Sequence, residues 1–193
     1  MQRTPEPGFR ILFVCTGNIC RSPLAERLTR SALGPPFQVS SAGTRARPGM
    51  EMTERARRVL LGLGGDPGGF ASRPLTGELV AAADLVLTAT VAHRAEAVAM
   101  HLPAAGRTFT IAEFGALSQE VPAGPLVAQR DPVRRARTLV EQVRELRGLV
   151  HVDQPDIPDP FGGSRWAYRT AGRRIAQALA APLRLLTQPP ASS

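Results

Sequence analysis

Lysine is absent from this 193-residue chain: all 24 basic side chains are arginine, set against 16 acidic ones. The resulting formal charge of +8 favours acidic partners such as phosphates, nucleic acid or an anionic surface. The bias toward Arg, Ala, Gly and Pro is equally what a skewed base composition produces, so charge alone does not assign a partner. Aromatic residues are scarce, at 5%, and a core must be built mainly from Leu, Val, Ile and Ala. There are only two cysteines, Cys15 and Cys20, in one short segment. That excludes a disulfide framework and suits a reducing compartment. No apolar run approaches a membrane span, and the polar start of the chain carries no apolar core of a signal peptide. The expectation is a soluble, cytoplasmic protein.

What is present is a chain of alternating patterns. Hydrophobic residues make up 43% of it, enough for one domain over residues 1–187 without staples. Arg10 to Cys15 reads as a buried strand, broken by Gly17 and Asn18. Ser22 as N-cap and Pro23 in the first helical turn open a helix to Leu33. Further strands are expected over Phe37 to Ser41, Ala83 to Thr88 and Phe109 to Ile111. Helices are expected over Thr53 to Leu63, Val91 to His101, Val133 to Leu149 and Ser164 to Leu186. Pro122 to Pro125 and the Pro/Gly-rich Gln154 to Gly163 read as loops, and 188–193 as a disordered tail. Strands alternating with helices of crossover length imply an α/β, doubly wound three-layer sandwich on a central four-stranded parallel sheet. Ligands bind such sheets where strands end and helices begin, which is where Cys15 to Ser22 lies.

Cys15 and Arg21 are separated by five residues, and that spacing has a chemical meaning. A loop of this length can curl so that the N–H groups of Thr16, Gly17, Asn18, Ile19 and Cys20 converge on one centre. The following helix aims its positive end at the same point. A tetrahedral dianion fits there, gripped by the forked guanidinium of Arg21. The donors that hold the anion also stabilise a Cys15 thiolate beneath it, and Ser22 can add a hydroxyl. Gly17 and Asn18 tolerate the left-handed backbone of a tight curl.

The string CTGNICRSP, after a strand ending in VC and before a helix beginning SPLAE, resembles the phosphate loop of the low-molecular-weight protein tyrosine phosphatases. The resemblance runs from about Arg10 to Leu183, strongest at this loop, at Ser41-Ala42-Gly43-Thr44 and at Asp159-Pro160-Phe161. It implies a metal-independent enzyme with no cofactor that cleaves phosphomonoesters through a phosphocysteine. It makes Cys15 the nucleophile, Arg21 the phosphoryl-binding and transition-state residue, Asn18 a loop-shaping residue and Ser22 an aid to the leaving cysteine. Asp159 matches the general acid and Asp156 is the competing carboxylate, with a loop-bonding role as its alternative. Phe161 is expected to wall the cleft. Many members carry two tyrosines after the Asp-Pro pair, whereas this chain has Phe161 and Gly162. Cys20 matches a second family cysteine that forms a reversible disulfide with the nucleophile.

The expected substrate is a phosphotyrosine-containing protein or a small phosphomonoester. Two other chemistries use the same loop. Thioredoxin-coupled arsenate reductases relay oxidation through cysteines near mid-chain, and this chain has none after Cys20. Protein arginine phosphatases resemble the loop but carry threonine where Ile19 stands. A reading from another class is a non-catalytic regulator that binds nucleic acid through basic helices. The segment 118–150, with Arg130, Arg134, Arg135, Arg137, Arg144 and Arg147, reads as an enlargement with a solvated basic face. His93 reads as structural, and Trp166 and Tyr168 as core.

Overall fold

The computed structural model describes residues 8–188. The expected tail therefore lies outside the described residues except for Gln188. Four strands, β1 (Phe9–Cys15), β2 (Phe37–Gly43), β3 (Leu85–Thr88) and β4 (Thr108–Thr110), form one parallel sheet in the order β2-β1-β3-β4. β1 is central and pairs with β2 from Phe9–Phe37 to Cys15–Gly43, and with β3 from Ile11–Leu85 to Val14–Thr88.

Alternation along β1 divides the core. Phe9, Ile11 and Phe13 face one side, Leu12 and Val14 the other. The first side is covered by α1 (Arg21–Ala32), α2 (Glu54–Gly62), α5 (Ile111–Gln119), α7 (Pro132–Leu146) and α8 (Arg165–Thr187). α3 (Gly77–Ala82), α4 (Val91–Met100) and a 3-10 turn over Leu102–Arg107 cover the second. Both faces of the sheet are apolar, as the near-continuous hydrophobic reading of β1 requires. The order in which strands are added reverses between β1 and β3, with β2 to one side and β3 and β4 to the other, and the crevice of a doubly wound fold opens there, beyond the strands' C-terminal ends.

Several local expectations needed correction. Ser22 is inside α1, not its cap, and its hydroxyl is committed to Cys15 and Asn18; Cys20 is the N-cap and contributes no side-chain cap bond, its thiol facing Thr53 and Tyr168. Pro122 to Pro125 is not loop throughout, since α6 (Ala123–Val127) forms a short helix that buries Leu126 and Val127. α3 and α5 had no counterpart in the sequence reading. α5 is specified by a capping box in which Thr110 and Glu113 satisfy each other's backbone N–H groups. The basic face of 118–150 is not uniformly solvated. Arg135 is 5% exposed and donates to the carbonyls of Val127, Gln129, Leu186 and Gln188. Arg147 pairs with Glu113 at 3.0 Å and lies 4.0 Å over the Phe109 ring. Tyr168 is core, but Trp166 is 70% exposed.

Candidate active site

The turn from β1 into α1 carries Cys15 to Ser22, and its shape is held from within. Asn18 is the one non-glycine among the described residues with a positive φ, 53°. Its short polar side chain makes that conformation tolerable by bonding locally. Nδ2 donates to Ser22 Oγ (2.9 Å) and to Ser41 Oγ (2.8 Å), while Oδ1 accepts from Arg73 N (2.9 Å). Ser41 Oγ in turn donates to the buried carboxylate of Glu26 at 2.5 Å. Since the Asn18 amide supplies a proton to Ser22 Oγ, the Ser22 hydroxyl proton is left for Cys15 Sγ at 2.9 Å, with Ala42 O at 3.4 Å as the more distant acceptor.

The Ser-Ala-Gly-Thr string lies directly behind this turn. Thr44 N donates to Cys15 O and Arg45 N to Thr16 O, continuing the β1–β2 ladder past the strand ends. Gly43 is required here by closeness of approach: a Cβ would stand 2.5 Å from Thr16 O and 2.8 Å from Asn18 N. The outer wall is tied to α2, since Thr53 N donates to Ile19 O. Ile19 itself is half-buried and packs against the main core. Among the described residues, no acceptor receives the N–H groups of residues 16–20. These donors and the start of α1 together make an anion-binding concavity.

Arg21 is 4% exposed and connects the loop to a distant segment. Nη1 donates to Ile157 O (3.0 Å), and Nη2 lies 2.8 Å from Asp159 Oδ2 and 3.4 Å from Thr16 Oγ1. Its Nε is buried without a partner among the described residues. The two candidate carboxylates separate clearly. Asp156 Oδ1 accepts from Val91 N at the start of α4 (2.8 Å), whereas Asp159 faces Arg21 and is half exposed. Asp159 Oδ1 also accepts from Phe161 N at 3.2 Å, a tight Asx turn. Phe161 is 65% exposed at the rim.

A cleft of ≈ 420 Å³ at the β1–β3 crevice is lined by Arg21, Asp156 and Asp159, with Thr16 and His93 in its wall. Cys15 and Ser22 do not line it; they lie behind it on the same turn as Thr16 and Arg21, with Cys15 Sγ 2.9 Å from Ser22 Oγ. His93 was read as structural, and its ring is held at both nitrogens: Thr90 Oγ1 at 2.7 Å from Nδ1, Thr16 Oγ1 at 2.9 Å from Nε2. Burial, and then the Arg21 charge, hold its pKa below the ordinary histidine value, so the ring is neutral at neutral pH. Cys20 points elsewhere. Its thiol contacts Thr53 Oγ1 (3.4 Å) and Tyr168 OH (3.8 Å), and burial pushes its pKa up. The Ser41-Ala42-Gly43-Thr44 string reads in sequence as structural support near the rim, and Ser41 has that place here. Glu26 and Arg73 were missed as supports of the loop, because they reach it only through tertiary contact. Among the described residues, no three His, Cys, Asp or Glu side chains gather as metal ligands.

Residues 10–146 match the family described as low molecular weight phosphotyrosine protein phosphatase. The chain belongs to that family. Its curated relatives include the probable low molecular weight protein-tyrosine-phosphatase EpsP of Ralstonia nicotianae, 35% identical over 136 residues, which are 70% of this chain and 86% of that one. A protein-arginine-phosphatase of Geobacillus stearothermophilus is 35% identical over 141 residues, 71% of this chain and 95% of that one. The solved YwlE arginine phosphatase from Geobacillus stearothermophilus superposes with a TM-score of 0.68 at 29% identity, covering 91% of each chain. The matched residues end with α7 at Leu146, and the Asp156–Phe161 loop lies outside them.

Proposed function

We propose that this phosphatase hydrolyses phosphotyrosine in proteins through a phosphocysteine, with Cys15, Arg21 and Asp159 as its catalytic residues. The observation that carries the reading is the convergence of three groups from opposite ends of the chain. Ser22 Oγ lies 2.9 Å from Cys15 Sγ, and Asp159 Oδ2 lies 2.8 Å from the guanidinium of Arg21 at the same turn.

In the first step Cys15 Sγ attacks phosphorus, an S–P bond forms and the P–O bond to the leaving group breaks. Asp159 gives its proton to the departing oxygen. Arg21 and the amides of Thr16, Gly17, Asn18, Ile19 and Cys20 hold the equatorial oxygens, where charge must be stabilised. In the second step water attacks phosphorus and gives a proton to Asp159. The S–P bond breaks, and Ser22 donates to the departing thiolate. Phe161 at the rim and the apolar Ile19 favour an aromatic leaving group. A working thiol requires a reducing compartment, and both cysteines are free, which supports a cytoplasmic location. No helix among the described residues is long and apolar enough to cross a membrane.

Hydrolysis of p-nitrophenyl phosphate in EDTA tests the mechanism. Wild type should turn over and Cys15→Ser should not; turnover by Cys15→Ser would refute covalent catalysis. A phosphoarginine substrate is the second reading, supported by the similarity in sequence and in structure to arginine phosphatase of Geobacillus stearothermophilus. Side-by-side kcat/KM on phosphotyrosine and phosphoarginine peptides decides between them. Ile19→Thr should shift the ratio toward phosphoarginine, since a hydroxyl can address the phosphoguanidinium and its attacking water.

A further inference from the structure

A larger hollow than the catalytic cleft, ≈ 650 Å³, runs between α2 and α8. Its floor is Val59, Leu63 and the Tyr168 ring, and its rim carries Arg55, Arg58, Arg165, Arg169 and Arg173 against a single acid, Glu54. Glu54 is already bound to Arg58 at 2.8 Å. Arg55 is anchored to Gly163 O and lies 6.0 Å over the Tyr168 ring. Arg165, Arg169 and Arg173 are exposed and make no ion pair among the described residues.

This arrangement costs the fold stability. Residues four apart on a helix are neighbours, and like charges there repel. Arg165 and Arg169 also lie in the first turns of α8, where the helix dipole disfavours cations and no acidic residue is present. Elsewhere some arginines are matched with acids, as in Arg30–Glu26, Arg57–Glu51 and Arg94–Glu113, and others with backbone carbonyls, as in Arg107 and Arg135. An unmatched row on this helix marks a surface that is completed by negative charge from outside.

The hollow shares no lining residue with the cleft but adjoins the loop that carries Asp159. α8 starts directly after the loop that carries Asp159, Arg55 grips Gly163 of that loop, and Tyr168 contacts Cys20. Three arginines at i, i+4 and i+8 repeat about every 6 Å along the axis. An extended peptide presents every second side chain on one face about 6.6–6.8 Å apart. The two repeats match to within the reach of an arginine side chain.

We propose that the α2–α8 groove binds an acidic segment of the phosphoprotein substrate, with Asp or Glu at alternate positions on Arg165, Arg169 and Arg173 and an apolar side chain on the Val59–Leu63 floor. Nucleic acid would meet the same charge but has no use for that floor. The proposal rests on the phosphatase reading for its kinetic readout, and its binding readout is independent of it.

The test compares a phosphotyrosyl peptide flanked by Glu at alternate positions with its Gln counterpart, on wild type and on R165Q/R169Q/R173Q. In low salt, wild type should favour the Glu peptide by about tenfold in kcat/KM, the sum expected of three modest exposed pairs. The preference should vanish in the triple variant and fade at high salt, while p-nitrophenyl phosphate hydrolysis stays unchanged. Equal kcat/KM for the two peptides on wild type, or a preference that survives the triple substitution, overturns the proposal. Should p-nitrophenyl phosphate fail as a substrate, the phosphatase reading falls, and the groove is then judged by titrating the unphosphorylated Glu peptide. Fluorescence of Trp166, the only tryptophan of the chain, one residue from Arg165, reports that titration. Absence of saturable binding overturns the proposal. So does an oligonucleotide that binds this face more tightly than the peptide and is lost with the three arginines.

Discussion

Arg21 and Asp159, 138 positions apart in the sequence, meet at 2.8 Å with the guanidinium buried and the carboxylate half exposed. Through Nη1 the same side chain holds Ile157 O at 3.0 Å. Arg21 is therefore the clasp between the Cys15 loop and the Asp156–Phe161 loop, beyond its proposed role as a phosphate ligand. Arg21→Ala is expected to loosen residues 154–163. Losing hydrogen bonds to a buried charge costs about 1.5–3 kcal/mol, so amide exchange there should accelerate by roughly ten- to a hundredfold. Mass-resolved hydrogen exchange checks this, and unchanged protection would mean that the loop holds itself.

The two carboxylates should behave differently on substitution. Asp159→Ala is expected to reduce turnover of substrates with poor leaving groups by about 10²- to 10⁴-fold, and much less with p-nitrophenolate. Asp156→Ala removes the acceptor for Val91 N at the start of α4 and should instead lower stability by about 0.5–2 kcal/mol. A series of aryl phosphates together with urea melts separates the two effects.

Ser22→Ala leaves the Asn18 bond to Ser41 but deprives Cys15 Sγ of its hydroxyl partner. The step in which Cys15 leaves phosphorus should suffer most. Rapid-mixing kinetics should then show a burst of phenol followed by a slow steady state, with a trapped phosphocysteine visible by mass. A uniformly slower reaction without a burst would contradict that role.

Stability should depend on pH through His93. Burial and Arg21 hold its folded-state pKa below the ordinary 6.5, so the unfolded chain takes up the proton first as pH falls. The contribution of the neutral ring is complete above about 6.5 and is lost as pH drops through the folded-state value. His93→Gln should flatten the stability profile below neutrality in denaturant melts at pH 5–8.

Cys20 should be a slow thiol. In Cys15→Ser protein, burial keeps Cys20 protonated, and alkylation by iodoacetamide should rise only above its ordinary pKa of 9.0. In wild type, mild peroxide is expected to join Cys15 to Cys20 with loss of two hydrogens. That requires the Cys20 contacts with Thr53 and Tyr168 to break. Intact-mass measurement checks it.

Much of this was legible in the linear chain because its physics is local. Alternating strand and helix patterns imply a parallel doubly wound sheet, and Cys15 to Ser22 contains its own curl in Gly17, Asn18 and the start of α1. Pairing Cys15 with Arg21 needs only the length of one loop. The Asp-Pro-Phe motif already favours Asp159 over Asp156, but what each carboxylate touches is different in kind. Both belong to the same Pro-rich stretch, and only the third dimension shows one tied to Val91 N and the other facing Arg21. The same holds for Ser41 and Arg73, which bond Asn18 from β2 and from the loop before α3, and for Glu26 on α1, which reaches it through Ser41. Arginines that look alike in sequence also diverge: Arg135 is buried against carbonyls, whereas Arg165, Arg169 and Arg173 stand exposed on one face of α8. Local patterns determine which elements form, because backbone geometry and hydrophobic period are properties of neighbouring residues. Which side chains meet is decided by how the sheet and helices pack, since those contacts join residues far apart in the chain.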